Sequence, residues 1–283
     1  MARVVLVTDT TADLPASVAA RHGILVAKAK YALQDHVFED GAVSGDAFYE
    51  RMRDAAEAPS PFGTSEASFR ELFAGALDAG FEPVCVVAPF DVNPSFTTAI
   101  AAMLSFDDAP IKVINPGVSS AGLCSLLVSL AVGIERGWSG ARVSEAIDAA
   151  GPECDTLFVP ASLDWLERSG RLALIEEKLG ELDGRFPVVR AGSRVTGAGV
   201  CDSHAAAIEM AVERAGARVA AGNPLIVTID HAADPALAAR VALAARARWD
   251  VADLIITELS ATMGSQFGPG AVGIGVAPMP PKE

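Results

Sequence analysis

Basic residues are scarce in this 283-residue chain, where 22 Lys and Arg stand against 36 Asp and Glu for a formal net charge of −14. No basic run breaks the acidic background, which argues against nucleic acid and anionic membrane surfaces as partners. Cysteine is sparse too. Cys85, Cys124, Cys154 and Cys201 lie far apart and form no Cys-x-x-Cys pair, the pattern of reduced thiols in a cytosolic protein. The chain is 51% hydrophobic with a mean hydropathy of +0.34. Even so, it has no run of about 18 apolar residues free of charges and breakers, so no membrane insertion is expected. The nearest stretch, 117–134, carries four serines and three glycines and reads as a buried helix. Met1-Ala2-Arg3 passes directly into an apolar run, so no leader is expected. Walker A sequences, nucleophile elbows and metal-spaced histidine pairs are missing. The scattered His22, His36, His204 and His231 read as structural or solvent-facing, and no metal, cofactor or catalytic residue is expected.

What is present begins with a strand and a turn. The apolar run 4–7 is short and β-branched enough to be buried on both faces. Thr8-Asp9-Thr10-Thr11-Ala12-Asp13-Leu14-Pro15 follows, with Asp13 expected to cap a helix over 17–22. Hydroxyls and a carboxylate at a strand exit sit where open α/β sheets bind ligands, although Asp9, Thr10 and Thr11 also suit simple capping and turning. Further strands are expected at 24–33, 83–88 and 111–114, alternating with helices over 45–56, from Ser68, from Ser95 and from Ser119. Pro59 and Pro61 mark a loop. Such alternation implies a parallel sheet with right-handed crossovers.

A break near Gly151-Pro152 divides the chain into two α/β domains, 1–152 and 153–283, with a ligand cleft expected between them. In the second part, strands are expected at 156–159, 186–190, 194–200, 225–229 and 254–256. Helices are expected from Ser162, in a stretch interrupted by glycine, over 205–218 and over 235–249. Gly268-x-Gly270-x-x-Gly273 meets the dinucleotide pattern literally, but that motif opens a helix and needs an acid about 20 residues later. It reads instead as a glycine turn into a final strand. Thr10, Thr11, Thr64, Ser65, Ser95, Ser119 and Ser120 all fall near helix starts, where neutral donors suit a carboxylate or phosphate. Beside so apolar an interior they suggest an amphiphile with an anionic head.

Four ordered motifs resemble the DegV family of bacterial fatty-acid-binding proteins. Thr8 to Pro15 is similar to the family's Thr-Asp-Ser-Thr-Ala-Asp-Leu-Pro, and Thr64-Ser65-Glu66-Ala67-Ser68 to its Thr-Ser-Gln-Pro-Ser. The stretch 163–172 resembles its Leu-Glu-Tyr-Leu-Lys-Lys-Gly-Gly-Arg-Ile segment, and Gly268-Pro269-Gly270-Ala271-Val272-Gly273 its closing Gly-Pro-Gly-Ala-Leu-Gly. The resemblance implies two α/β domains with a long-chain fatty acid buried between them and its carboxylate held by hydroxyls. It also implies a cytoplasmic, non-catalytic subunit that presents the acid to a fatty acid kinase.

The chain departs from that pattern at several positions. Pro89-Phe90-Asp91-Val92-Asn93-Pro94-Ser95 replaces Ser-Ser-Gly-Leu-Ser-Gly-Thr, so one head-group hydroxyl has become Asn93 or moved to Ser95. The family histidine before Gly-Pro-Gly is Gln266, which cannot carry a positive charge. Asn115-Pro116 replaces an Asp-Ser, and an arginine ahead of the second-domain helix has no counterpart near Asp202-Ser203, whereas Arg171 is retained. The expected carboxylate contacts are Thr64, Ser95 or Asn93, and Gln266, with Ser65 and Ser119 as further candidates. One alternative is an enzyme on a small phosphorylated or carbonyl substrate with Asp9 or Asp91 as base; another is a ligand-free interaction module.

Overall fold

The computed structural model describes residues 3–55 and 57–281. The expectation about a leader, which falls on Met1 and Ala2, the extension of a helix to Ala56, and residues Lys282 and Glu283 lie outside the described residues.

Val4, Val5 and Val7 give β1 (Arg3–Asp9) its extended backbone, and every residue of it after Arg3 is buried. It lies in a four-stranded parallel sheet of order β2 (Leu25–Ala27), β1, β6 (Phe81–Val86), β7 (Lys112–Ile114). The order reverses between β1 and β6, which makes their carboxyl edge a topological switch point, the place where open α/β sheets bind ligands. A second sheet is antiparallel, β4 (His36–Glu39), β3 (Ala29–Leu33), β5 (Ser60–Thr64). The single strand expected over 24–33 is thus two strands in two sheets, and the change is fixed where the Ala29 N–H donates to the Thr10 hydroxyl at 3.1 Å. The segment expected to be a loop around Pro61 is β5. It tolerates proline because it is an edge strand, which need not donate on its outer side.

The third sheet runs β10 (Val195–Cys201), β9 (Phe186–Ala191), β8 (Asp155–Val159), β13 (Val272–Pro278), β11 (Leu225–His231), β12 (Val251–Glu258). It is antiparallel except for β11 and β12. Outside the parallel sheet lie α3 (Glu66–Asp78) and α4 (Ser95–Leu104), which press Phe69, Phe73 and Ala99 onto Val7 and Cys85. Outside the six-stranded sheet lie α9 (His204–Ala215) and α10 (Pro235–Arg248). Between the two sheets runs α5 (Ser120–Glu135), buried along almost its whole length. Its Leu123, Leu126, Leu127 and Leu130 form one apolar cluster with Val4, Leu6 and Val84 on one side and Phe158 and Val189 on the other. Burying each such leucine contributes about 1.5–3 kcal/mol over leaving it exposed.

Several details depart from the sequence expectations. Pro15, not Asp13, stands at the N-cap of α1 (Ala16–His22) with no side-chain cap, because the Asp13 carboxylate turns inward to accept the Ser260 N–H at 2.7 Å. Ser44 caps α2 (Gly45–Asp54), which closes at Asp54. As expected, the helical stretch after Ser162 is interrupted by glycine, forming two short helices, α7 (Leu163–Arg168) and α8 (Leu172–Leu179), separated at Gly170. Three elements carried too little periodicity to be read in advance: β4, α6 (Gly140–Ala150) and α11 (Ala261–Phe267). No helix among the described residues is long and apolar enough to cross a membrane.

The seat of α5 depends on small residues. A Cβ on Gly275 would fall 2.0 Å from the Gly122 nitrogen, and one on Gly122 would fall 2.6 Å from the Asp155 carbonyl oxygen. Backbone cannot yield to relieve either clash. Gly275→Ala is therefore expected to destabilise the chain by at least about 1–3 kcal/mol, the usual range for overpacking, read as a lowered urea midpoint.

Candidate functional site

The end of β1 lies at the carboxyl edge of the parallel sheet, at the switch point between β1 and β6. Asp9 is fully buried there and accepts three hydrogen bonds: from the Thr11 N–H at 3.1 Å, from the Thr11 hydroxyl, and from the Thr64 hydroxyl at 3.0 Å. Burial raises its pKa above the ordinary carboxylate value, and these donors pull it back in part. Thr64 ends β5 and is stitched to the start of α4. Its N–H donates to the Ser95 hydroxyl oxygen at 3.0 Å, and its carbonyl accepts from the Thr98 hydroxyl at 2.7 Å. Ser95 turns both its N–H (2.9 Å) and its hydroxyl on Asn93 Oδ1. Gly63, at φ +74°, leaves room for this loop, since a Cβ there would fall 2.8 Å from Asn93 Oδ1.

Two amide atoms in this region have no partner although their side chains are buried, Asn93 Nδ2 and Gln266 Oε1. Such orphans are uncommon inside proteins. Gln266 sits on α11, which packs against β5, and its Nε2 donates to the Thr262 carbonyl at 3.4 Å. With Pro59, Ser60, Arg168 and Arg171, Gln266 lines a cavity of about 300 Å³.

Of the residues expected to hold a ligand, Thr64, Asn93 and Ser95 fall into one hydrogen-bonded cluster, and Gln266 lies on the helix against it. Ser65 and Ser119 do not join them. Ser65 is exposed and caps α3 through Ser68, while the Ser119 hydroxyl is committed to the Ala191 carbonyl at 2.9 Å, fastening α5 to β9. Asp91 is half-exposed and pairs with Arg194 at 3.3 Å. Among the described residues, no group of three or more His, Cys, Asp or Glu side chains is disposed to hold a metal.

The DegV family model, described as an uncharacterised protein family, matches residues 3–279. This chain belongs to the DegV family. A DegV domain-containing protein of Streptomyces coelicolor is 27% identical over 289 residues, covering 97% of this chain and 98% of the relative. One from Deinococcus radiodurans is 26% identical over 286 residues, covering 98% and 99%. Among solved structures, a DegV family protein from Thermus thermophilus described for fatty acid binding superposes with a TM-score of 0.88 at 22% identity, covering 98% of this chain and 99% of that one. A stearic acid-binding protein from Eubacterium ventriosum gives 0.83 at 21% identity, covering 97% and 98%. At these identities the likeness is one of fold.

Sequence reading missed one further cluster in this DegV chain. The Ser120 hydroxyl bridges the Asp13 carboxylate and that of Asp230 at the end of β11, which also accepts the Ala121 N–H at 2.9 Å. The available signal was an acid closing an otherwise apolar strand, Asp230 after Ile229. Both carboxylates are fully buried, and Ser120 itself holds a positive φ of 51°. Burial, then the charge of Asp230, keeps Asp13 well above its usual range, and burial pushes Asp230 up to about 7. A carboxyl group with a raised folded-state pKa stabilises the fold most below its unfolded value near about 4, and that contribution is lost as pH climbs towards about 7. The urea midpoint is therefore expected to fall between about pH 5 and about pH 8, and Asp230→Asn to flatten that slope.

Proposed function

We propose that this DegV-family chain is a cytoplasmic lipid carrier without catalysis of its own. It binds a long-chain fatty acid between two α/β lobes that divide near residue 152. The acid's head rests against Thr64, Asn93, Ser95 and Gln266. The observation that carries this reading is the pair of buried, unpartnered amide atoms, Asn93 Nδ2 and Gln266 Oε1, beside a cluster of hydroxyls at the carboxyl edge of a parallel sheet. Solved relatives of the same fold described as fatty-acid-binding, including that from Bacillus subtilis (TM-score 0.87, 19% identity), support it.

The tail belongs in the apolar cluster that joins the two sheets. In this structure Phe158 stacks on Phe267 there with ring centroids 4.0 Å apart, so room for an acyl chain requires these rings to move apart. Burying about fourteen methylenes at about 0.8 kcal/mol each contributes roughly 10 kcal/mol before ordering costs. One hydrogen bond at the head contributes about 1 kcal/mol. Tail burial sets the affinity, and the head sets orientation. Presentation to a fatty acid kinase is assigned to the rim, where Arg171 shares a groove of about 740 Å³ with exposed Phe90, Leu174 and Arg194.

Native mass spectrometry of the purified protein is expected to reveal a co-purifying fatty acid, or uptake of one after delipidation. A clean spectrum with no uptake would falsify the reading. Gln266→Leu is expected to weaken binding by about five- to tenfold, the worth of one hydrogen bond. Shortening the tail by two methylenes is expected to cost more, about fifteenfold, from about 1.6 kcal/mol of lost burial.

A further inference from the structure

The start of α11 is held by carboxyl groups from the far end of the chain. Asp13 accepts the Ser260 N–H at 2.7 Å, and Asp40 accepts the Ala261 and Thr262 N–H groups at 3.0 and 3.3 Å. The first N–H groups of a helix have no partner within it, so these acids take the place of the missing carbonyls. The same short helix carries Gln266 and Phe267, the ring stacked on Phe158 of β8. What fixes Asp13 therefore fixes both side chains.

Asp13 is tied in turn through Ser120 to Asp230. A serine hydroxyl has one proton, yet the Ser120 oxygen is in hydrogen-bond contact with Asp13 Oδ2 and, at 2.7 Å, with Asp230 Oδ2. One of these contacts must use a proton that a carboxyl group brings. Asp230 Oδ2 already accepts the Ala121 N–H, so the proton sits on Asp13, and the chain of donors runs from Asp13 through Ser120 to Asp230. Ser120 keeps its positive φ of 51° here, a conformation that persists only where its surroundings fix it. Once that proton is lost, one hydroxyl faces two buried carboxylates, and Asp230 Oδ1 already lacks a donor. The surroundings supply no cation in exchange. Tyr49 on α2 faces Asp13, Asp40, Asp230 and Glu258, and Cys124 on α5 faces Asp13, Asp230 and Asp253; burial keeps both protonated. His231, next to Asp230 on β11, is kept neutral by burial and faces Asp234 and Asp46. The two carboxyls titrate as a pair, and their raised pKa values put the loss of the last proton on the alkaline side of about pH 7. The chain of donors is intact below that range and is lost as pH rises through it.

We propose that Asp13, Ser120 and Asp230 form a proton-held latch on α11, and that loss of its last proton frees this helix, draws Phe267 off Phe158 and opens the slot to the acyl tail. Asp13 is then a positioning residue for Gln266 and Phe267. The proposal rests on the lipid-binding reading above and names how that site is regulated. The slot retains its ligand at acid pH and exchanges it at alkaline pH.

The test takes two readouts on the full chain from about pH 6 to about pH 10. Amide hydrogen exchange, corrected for its intrinsic pH dependence, follows α11 without any ligand. Its protection is expected to fall above about pH 7 by up to about tenfold per pH unit, the signature of one linked proton, with a smaller loss in β8. Release of radiolabelled dodecanoic acid into phosphatidylcholine vesicles is expected to accelerate over the same range. Asp13→Asn keeps an acceptor for the Ser260 N–H and gives Ser120 a permanent donor, so it copies the protonated latch. It is expected to hold both readouts level, which a merely structural role would not do. Protection of α11 that stays level in the parent, or a slope that survives in Asp13→Asn, overturns the latch. Release that stays level while α11 loosens overturns its role as the gate. No uptake of dodecanoic acid at any pH overturns the lipid-binding reading, whatever α11 does.

Discussion

The contact on which the rest of the structure depends is the seating of α5 on β13, backbone against backbone at Gly122 and Gly275. Two sheets bury their inner faces on this one helix, so its position decides how far apart they stand. A side chain at either glycine would lift the helix and loosen both sheets together, because close-packed interiors do not absorb even a methyl group freely. The same seating holds the helix start against the first turn of the chain. Ser120 reaches Asp13 there, and Asp230 receives the Ala121 N–H.

A second constraint is electrostatic. The chain carries a net charge of −14, and it buries Asp9, Asp13, Asp40 and Asp230 at strand ends and turns. Each is met by hydroxyls and backbone N–H groups, without a nearby cation to hold it ionised. By contrast, the buried Asp155 is paired with a cation, Arg190 at 2.8 Å. Carboxyl groups satisfied only by neutral donors stay close to protonation, which is the physical basis for the stability slope.

Much of this was legible from sequence. The run 4–7 announces a strand buried on both faces, the hydroxyls at helix starts mark the carboxyl edge, and the closing glycines announce a turn into a last strand, because each signal is local and chemical. The motifs also carried the family resemblance and placed Thr64 and Gln266 near the site. Local signals failed where a residue's role depends on a distant partner. Pro61 is a strand residue only because β5 lies at an edge, and Asp13 abandons its helix only because Ser260, far along the chain, offers an N–H.

The choice the sequence left open, Asn93 or Ser95 at the head group, shows the division most clearly. Sequence determined that a polar residue would stand there, since the loop leaves β6 beside a helix start. Only the tertiary structure decided which of their atoms keep a hydrogen bond unmade. Ser95 spends its proton on Asn93, Thr64 spends its proton on Asp9, and the Asn93 amide is left as donor. Residue identity fixes how many hydrogen bonds a side chain can make, and the partners brought in from other elements fix which of them remain unmade.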